Sequence, residues 1–430
     1  MDDPKVLERM RADWNERAGE DAYYYVAFGR REQDDEEFFA SAADVLRSLR
    51  QELKRLRASD AALEIGCGPG RLMRPLSGHF TEIHGVDVSD QMIRMAQERL
   101  RGTPNAHPHH TSGAALELFP DEKFDFVYSY AVFQHIPSRE VVYQYLREAW
   151  RVLKTGGILR CQINGLPPHA RQYDTWSGVR ITPDEVMEFA REHDFRLLEL
   201  SGIWTQYMWV TCRKMPAGWE QRASVPHENS GTRIRTITNA ITGEAVAPAA
   251  GPMAALSLWV ENLPEECDLN HLTVEADGRV CRVTYIGEPA RDHITQVNAA
   301  LPERVRTGLV PVKMARMGQP LCPAAWVRIM PAGPAVPRID AIADAVNLLC
   351  GTRVVSGTVK VMMSEVTHPE QFCVHVDGRE VPDVETFCTD PATERYEFNL
   401  CLPKGIAPGA HEVCVGLGKR EFPPLEIEVP

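Results

Sequence analysis

The run Ala61-Ala62-Leu63-Glu64-Ile65-Gly66-Cys67-Gly68-Pro69-Gly70-Arg71, followed by Ile83-His84-Gly85-Val86-Asp87-Val88-Ser89, carries the strongest structural signal in this chain. A short apolar run rich in strand formers meets three glycines at alternate positions, and a helix-like segment begins near Arg71. Glycine suits such a turn because it adopts dihedrals closed to other residues and lets a ligand approach the backbone without a Cβ in the way. The second run ends on Asp87, roughly 20 residues after the glycines, where a carboxylate accepts hydrogen bonds from both hydroxyls of a ribose. The pair therefore specifies a class of ligand, a nucleoside, before it specifies a reaction.

The glycine spacing narrows that class. Read from Glu64 the order is acid, x, Gly, x, Gly, x, Gly, whereas the dinucleotide pattern sets its last glycine further along to seat a pyrophosphate on a helix N-terminus. An acid two residues ahead of the first glycine favours a ligand with a positive centre. This arrangement resembles the first motif of the class I S-adenosylmethionine-dependent methyltransferases, over residues 60–215. Phe124-Asp125-Phe126-Val127-Tyr128-Ser129 looks like that family's fourth strand, and Arg151-Val152-Leu153-Lys154-Thr155-Gly156-Gly157 like its turn into the fifth, with Thr155 in place of the usual proline. The resemblance implies S-adenosyl-L-methionine as cofactor. It implies that Gly66, Cys67, Gly68 and Gly70 hug the methionine moiety, with Glu64 near its amino group and Arg71 and Tyr130 beside them. Asp87 and Val88 would hold the ribose, and Met92 would lie against adenine. The family often places an acid on the adenine amino group; here Thr111-Ser112-Gly113-Ala114 stands there, so Ser112 and the backbone at Gly113 take that role.

On the acceptor side, the fourth strand finishes at Tyr130-Ala131-Val132-Phe133-Gln134-His135-Ile136-Pro137, at the carboxyl edge where open α/β sheets hold ligands. His135 is the candidate general base, although a histidine at a helix entry also serves as a cap or packs. Gln134, with aromatics and a cation on flanking segments (Trp14, Tyr24, Arg171, Tyr173 and Trp176), forms a candidate acceptor set; the same aromatics also suit packing of a leading helix on the sheet. The Asn/Asp-Pro-Pro-Tyr-like motif of nucleobase or amide N-methylation is absent, as is a magnesium carboxylate set.

Composition limits the partners. With 430 residues, 44% hydrophobic and 25% charged, the chain is globular and long enough for two or three domains. A net charge of −13 argues against nucleic acid, because phosphate neutralisation needs basic patches. No run is apolar enough to span a bilayer and no signal-peptide core opens the chain, so the expectation is a cytoplasmic protein without a membrane partner. The eleven cysteines include no Cys-x-x-Cys pair, and His107-Pro108-His109-His110 reads as a solvated loop, so no metal is expected.

Strands are expected near 61–65, 82–87, 124–129, 157–163, 196–202 and 206–213, and helices near 3–17, 34–57, 89–101, 138–153 and 182–193. The fold class is α/β, a Rossmann-like doubly wound parallel sheet over 1–214 under an N-terminal helical cover. Residues 215–232 read as a linker. Beyond it a repeat of about 100 residues appears: Val274-Glu275-Ala276-Asp277-Gly278-Arg279 returns as Val374-His375-Val376-Asp377-Gly378-Arg379. Alternating runs around Asp-Gly hairpin signals predict two β-sandwich modules, 233–335 and 336–430, which look like tandem immunoglobulin-type IPT/TIG domains. They would serve self-association or a protein or glycan partner.

The functional expectation is a methyltransferase acting on an oxygen or nitrogen of a small molecule. The alternatives are C-methylation at the same site, or a binding protein whose first domain is a degenerate scaffold.

Overall fold

The computed structural model describes all residues except 1–3, 28–30, 58, 169–172, 225–230, 291, 347–349, 391–393 and 404. Arg171, a candidate acceptor residue, lies outside them.

The N-terminal unit is built on seven strands: β1 (Ala61–Ile65), β2 (Glu82–Asp87), β3 (Ala106–His110), β4 (Phe124–Ser129), β5 (Leu153–Ile163), β6 (Phe195–Ser201) and β7 (Met208–Lys214). Their spatial order is β3-β2-β1-β4-β5-β7-β6. The strands are parallel except β7, which runs antiparallel to both β5 and β6. The sheet is therefore mixed, not wholly parallel as expected. The short connection from β6 to β7 explains this, since a parallel return requires a crossover of a dozen residues or more.

Both faces are covered, so the central strands bury apolar side chains on both sides. Leu63, Ile65, Val127 and Leu159 pack under the helices Arg139–Val152 and Pro183–Glu192, while Ala62, Phe126, Tyr128 and Ile158 face the opposite layer. Helix starts follow the sequence: Ser138 accepts from the Val141 amide (3.4 Å), and Thr182 forms a reciprocal capping box with Glu185.

One strand escaped the sequence reading. Residues 106–110 form β3, the edge strand paired with β2, rather than a solvated loop. His-Pro-His-His offers no apolar alternation, and the proline is tolerated because its missing N–H faces an edge.

Residues 4–27 form one long cover helix broken at Asp21, whose backbone leaves the helical region (φ −165°, ψ 86°) and whose carboxylate accepts from the Tyr24 amide (3.0 Å). The cover is pinned to the sheet by three contacts. Arg11 pairs with Asp90 (2.5 Å), Ser89 Oγ donates to Asn15 Oδ1 (2.7 Å), and the Gln91 amide donates to the same oxygen (3.2 Å).

Residues 215–224 are not an extended linker. A short helix (Trp219–Ala223) buries Trp219, and Asp194 accepts from the Gly218 and Glu220 amides (2.8 and 2.9 Å). The β-rich part that follows packs directly on β6. The Leu269 amide donates to the Leu197 carbonyl (3.0 Å), Arg196 Nε donates to the Cys267 carbonyl (3.1 Å), and Arg213 pairs with Glu288 (2.6 Å).

The 100-residue repeat is structural. Asp277-Gly278 and Asp377-Gly378 both take left-handed φ (54° and 71°; 49° and 75°) and close the tight hairpins Ala276↔Arg279 and Val376↔Arg379. In the last unit a four-stranded and a five-stranded sheet share one core, with Val359, Val361, Phe398 and Leu400 against Val374, Val376, Val413 and Val415.

Candidate functional site

At the carboxyl edge of β1, β2 and β4 lies a cleft of about 850 Å³ including its mouth, within the roughly 300–1,000 Å³ range of small-ligand sites. Nine of the twelve residues expected to hold a cofactor line it: Glu64, Gly66, Cys67, Gly68, Arg71, Asp87, Val88, Met92 and Tyr130. Gly70, Ser112 and Gly113 do not. Gly70 is turned toward Leu100, and the Cα face of Gly113 packs against Leu7 of the cover helix.

The floor is the glycine turn. Gly66 and Gly68 have φ of +76° and +51°, a region that favours glycine. A Cβ on Gly66 would come within 2.4 Å of Val132, so the two loops meet over bare backbone. Asp87 braces the turn by accepting from the Gly68 amide (2.9 Å) and from the Ser89 amide (2.8 Å). Burial raises its pKa, and those amides draw it back down.

Glu64 is strongly perturbed. It is 3% exposed, accepts one hydrogen bond from the Tyr128 hydroxyl (2.8 Å), and pairs with no cation among the described residues. Burial pushes its pKa up to about 8, against the pull of Tyr128 and Arg71 and with the help of Asp87. A buried carboxylate without a counter-charge beside a cradle of glycines fits a cationic ligand group. Cys67 is not a nucleophile, since burial and two carboxylates hold its thiol well above the ordinary range.

The acceptor side is formed by the cover helix and the loop after β4. Ala131 takes a left-handed φ of +55°, costly for a residue with a Cβ and frequent at functional turns; its amide donates to Gln162 (3.2 Å). His135 lines the cleft, is buried, and has an Nδ1 without a partner. Burial and then the Arg17 cation lower its pKa to about 4, so the imidazole is neutral at physiological pH.

Trp14 meets His135 edge-on at 5.6 Å, and Arg17 lies over Trp14 (4.7 Å) and over Trp176 (5.5 Å). Arg17 also donates to the carbonyl and hydroxyl of Thr175 (both 3.1 Å), and that hydroxyl donates to Asp13 (2.5 Å), so the cover helix is latched to the 173–177 loop.

Of the expected acceptor residues, Trp14 lines the cleft, while Tyr24, Gln134, Tyr173 and Trp176 do not. Successive helical residues point about 100° apart, so Tyr25 faces the cleft while Tyr24 lies beneath Arg31 (4.5 Å). Gln134 instead holds the loop, its carbonyl accepting from the Gly178 amide (2.8 Å). Trp176 sits at the rim, 6.5 Å from Tyr25 and 46% exposed. Sequence reasoning did not single out Met10, Val26, Leu72, Val132, Ile136 or Tyr145 as cleft residues. Only the helical spacing of Met10 with Trp14 could have signalled one of them.

A second polar cluster lies on the β2–β3 edge, where Glu82, His84 and His107 bring donor atoms within 4.8 Å of one another. The carboxylate that the sequence did not place near the histidines comes from the neighbouring strand. The Lys123 ammonium already fills this position, 3.1 Å from His84 Nε2 and 3.6 Å from Glu82, while His84 Nδ1 meets His109 (3.0 Å).

Residues 63–161 match the family described as "Methyltransferase domain". Over 97 residues the chain is 33% identical to phosphoethanolamine N-methyltransferase 2 of Caenorhabditis elegans, covering 22% of each chain. It is 32% identical over 107 residues to 27-O-demethylrifamycin SV methyltransferase of Amycolatopsis mediterranei, covering 24% of this chain and 38% of that one. Among solved structures, phosphoethanolamine N-methyltransferase 1 of Haemonchus contortus, in complex with phosphoethanolamine and S-adenosylhomocysteine, aligns at 16% identity and a TM-score of 0.38 over 50% of both chains. The chain spans about a fifth to two fifths of the length of these curated relatives. Residues 63–161 thus match a methyltransferase domain.

Proposed function

We propose that the whole protein transfers a methyl group from S-adenosylmethionine to an oxygen or nitrogen of a small acceptor. The observation that carries this reading is the convergence of Glu64, the glycine turn and Asp87 on one cleft roofed by Trp14, Tyr25 and His135. Bound S-adenosylmethionine supplies an electrophilic methyl on a positively charged sulfur. The protein's own tasks are then to orient the acceptor, to exclude water and to receive a proton. Asp87 offers its carboxylate to the ribose diol, and Met92, 1% exposed, walls the adenine side. Trp14 and Tyr25 close the cleft over the acceptor. The test is calorimetry with S-adenosylhomocysteine followed by transfer of labelled methyl to a panel of small acceptors. Absence of binding at high micromolar concentration would overturn the reading.

His135 is the residue that receives the acceptor's hydrogen bond. Because its imidazole titrates near 4, it is a neutral acceptor throughout the physiological range and only a weak base. His135→Ala is expected to lower kcat about 100-fold with cofactor affinity unchanged, and the loss should be the same at pH 6 and pH 8. Undiminished turnover would return His135 to a packing role.

The two β-rich units fit tandem immunoglobulin-type sandwiches of the IPT/TIG kind, supported by the repeated hairpins and by two sheets sharing one core in the second. Self-association or partner binding remains the role proposed for them. A cytoplasmic location goes with the reading and is supported by eleven free cysteines. No helix among the described residues is long and apolar enough to cross a membrane.

A further inference from the structure

The β2–β3 edge carries a set of donor atoms that the cleft does not use. Side chains alternate along a strand, so Glu82 and His84 share one face of β2, as His107 and His109 share one face of β3. The parallel register sets His84 opposite His107, with the rings 5.0 Å apart. None of the four lines the cleft, and Glu82 opens the strand that Asp87 closes. At the centre is the buried His84 ring. Its Nδ1 meets His109 Nε2 (3.0 Å), while its Nε2 lies 3.0 Å from Glu82 Oε2 and 3.1 Å from the Lys123 ammonium. Those last two neighbours make opposite demands on one nitrogen. A protonated Nε2 donates to the carboxylate but turns its N–H on the ammonium; a bare Nε2 accepts from the ammonium but sets its lone pair against the carboxylate. No tautomer serves both, so an ammonium is a mismatched cation for this set of donors.

We propose that Glu82, His84 and His107 bind a divalent transition-metal ion of the zinc type, which displaces the Lys123 ammonium into solvent. Two imidazoles and a carboxylate are the nitrogen and oxygen donors that zinc takes, and a solvent molecule fills the fourth position. The donor atoms lie within 4.8 Å of one another. Glu82 Oε2 and His84 Nε2, at 3.0 Å, already stand near the roughly 3.3 Å that separates neighbouring ligands around a tetrahedral zinc. His107, half-buried on the edge strand, closes the remaining gap by turning about its side-chain torsions. His109 is a positioning residue: by accepting from His84 Nδ1–H it fixes the tautomer whose bare Nε2 faces the ion. The ion also removes the conflict at His84, because Nε2 and the carboxylate then give their lone pairs to one centre. Its role is structural. Strand β3 reads His107-Pro108-His109-His110, without strand formers, and an ion held by residues of both strands ties it to β2.

The experiment is calorimetric titration of the full chain, stripped with a chelator, with Zn²⁺, and with Co²⁺ as the spectroscopic probe. The eleven free cysteines are the competing place for such an ion. Wild-type protein is expected to bind one Zn²⁺ per chain with a Kd of about 1 μM or tighter. Its Co²⁺ form should show the visible bands of a tetrahedral nitrogen and oxygen site and no thiolate charge-transfer band. His107→Ala and Glu82→Gln should each weaken binding on the order of 100-fold. Lys123→Met should tighten it about 10-fold, since no like charge then has to leave. Zn²⁺ should raise the unfolding temperature of the wild type and leave that of His107→Ala where it was. Absence of saturable binding below about 100 μM would overturn the site. A cobalt–thiolate band, or wild-type affinity in both His107→Ala and Glu82→Gln, would do the same by placing the ion elsewhere. Should those two variants fail to fold, Lys123→Met decides, and zinc affinity that is unchanged or weaker in it overturns the assignment.

Discussion

Asp87→Ala is expected to weaken S-adenosylhomocysteine binding on the order of 100-fold, the largest loss of any single change in the cleft. Two charge-assisted hydrogen bonds to a ribose contribute about 1.5 kcal/mol each, about 3 kcal/mol together, when the carboxylate is partly shielded from water. Asp87 has a second duty that adds to the effect. Its oxygens accept from the Gly68 and Ser89 amides, so its loss also loosens the glycine turn and the start of the helix over Asp90–Arg99. Thermal unfolding should therefore show a loss of roughly 1–3 kcal/mol in the unliganded variant. Asp87→Asn separates the two duties, because an amide oxygen still accepts from one backbone N–H but serves the diol poorly. Its stability should stay near wild type while affinity falls. Wild-type affinity in Asp87→Ala would sink the ribose assignment.

Cofactor binding should also be linked to protons through Glu64. In the unliganded protein this carboxylate titrates near 8 and so carries a proton at neutral pH. A ligand ammonium binds the ionised form, so below pH 8 binding must expel that proton. Affinity is then expected to rise roughly tenfold per pH unit between pH 5.5 and 7, with about one proton released per ligand. The groups facing Glu64 are Tyr128 from β4, Arg71 and Cys67 from the glycine turn, and Asp87 from β2. Of these the tyrosine and the thiol stay protonated in that window and the guanidinium stays charged, leaving the carboxylates of Glu64 and Asp87, both raised by burial, to carry the proton linkage. Isothermal calorimetry in buffers of different ionisation enthalpy measures the proton count directly. Glu64→Gln should bind more weakly with a flat profile. A pH-independent affinity in the wild type, with no proton released, would show that no ligand cation meets Glu64.

The same shift has a consequence for folding. Because the folded-state pKa of Glu64 lies above the ordinary carboxylate value, the folded protein holds the proton more tightly than the unfolded chain does. The stability that this contributes is present at low pH and is lost as pH rises through about 8. A bound cationic ligand replaces the proton and restores it, so the stabilisation by S-adenosylhomocysteine should grow with pH across this window.

Much of the cofactor half of the cleft was legible because it is local. Glycine positions in a strand-to-helix turn, and an acid at the end of the next strand, are fixed by backbone geometry within about 25 residues, and their spacing survives in the linear text. The strand β3 was not legible, because His107, Pro108, His109 and His110 carry neither β-formers nor an apolar period, and pairing with β2 alone makes them a strand. Nor was the antiparallel setting of β7, which follows from a connection too short for a crossover.

The amino-acid sequence by itself determined the α/β class, the glycine cradle with Glu64 and Asp87, and the repeated Asp-Gly hairpins, since each rests on dihedral preference or period and acts over a few residues. The tertiary structure alone decided which aromatic of Tyr24 and Tyr25 faces the cleft, that Leu7 of the cover helix packs against Gly113, and that His135 is a neutral imidazole beside Arg17. It alone buried Glu64 and Arg71 in one cleft, each within the other's field and neither in an ion pair among the described residues. Burial and the distance between charges depend on segments far apart in the chain, and no local pattern records them.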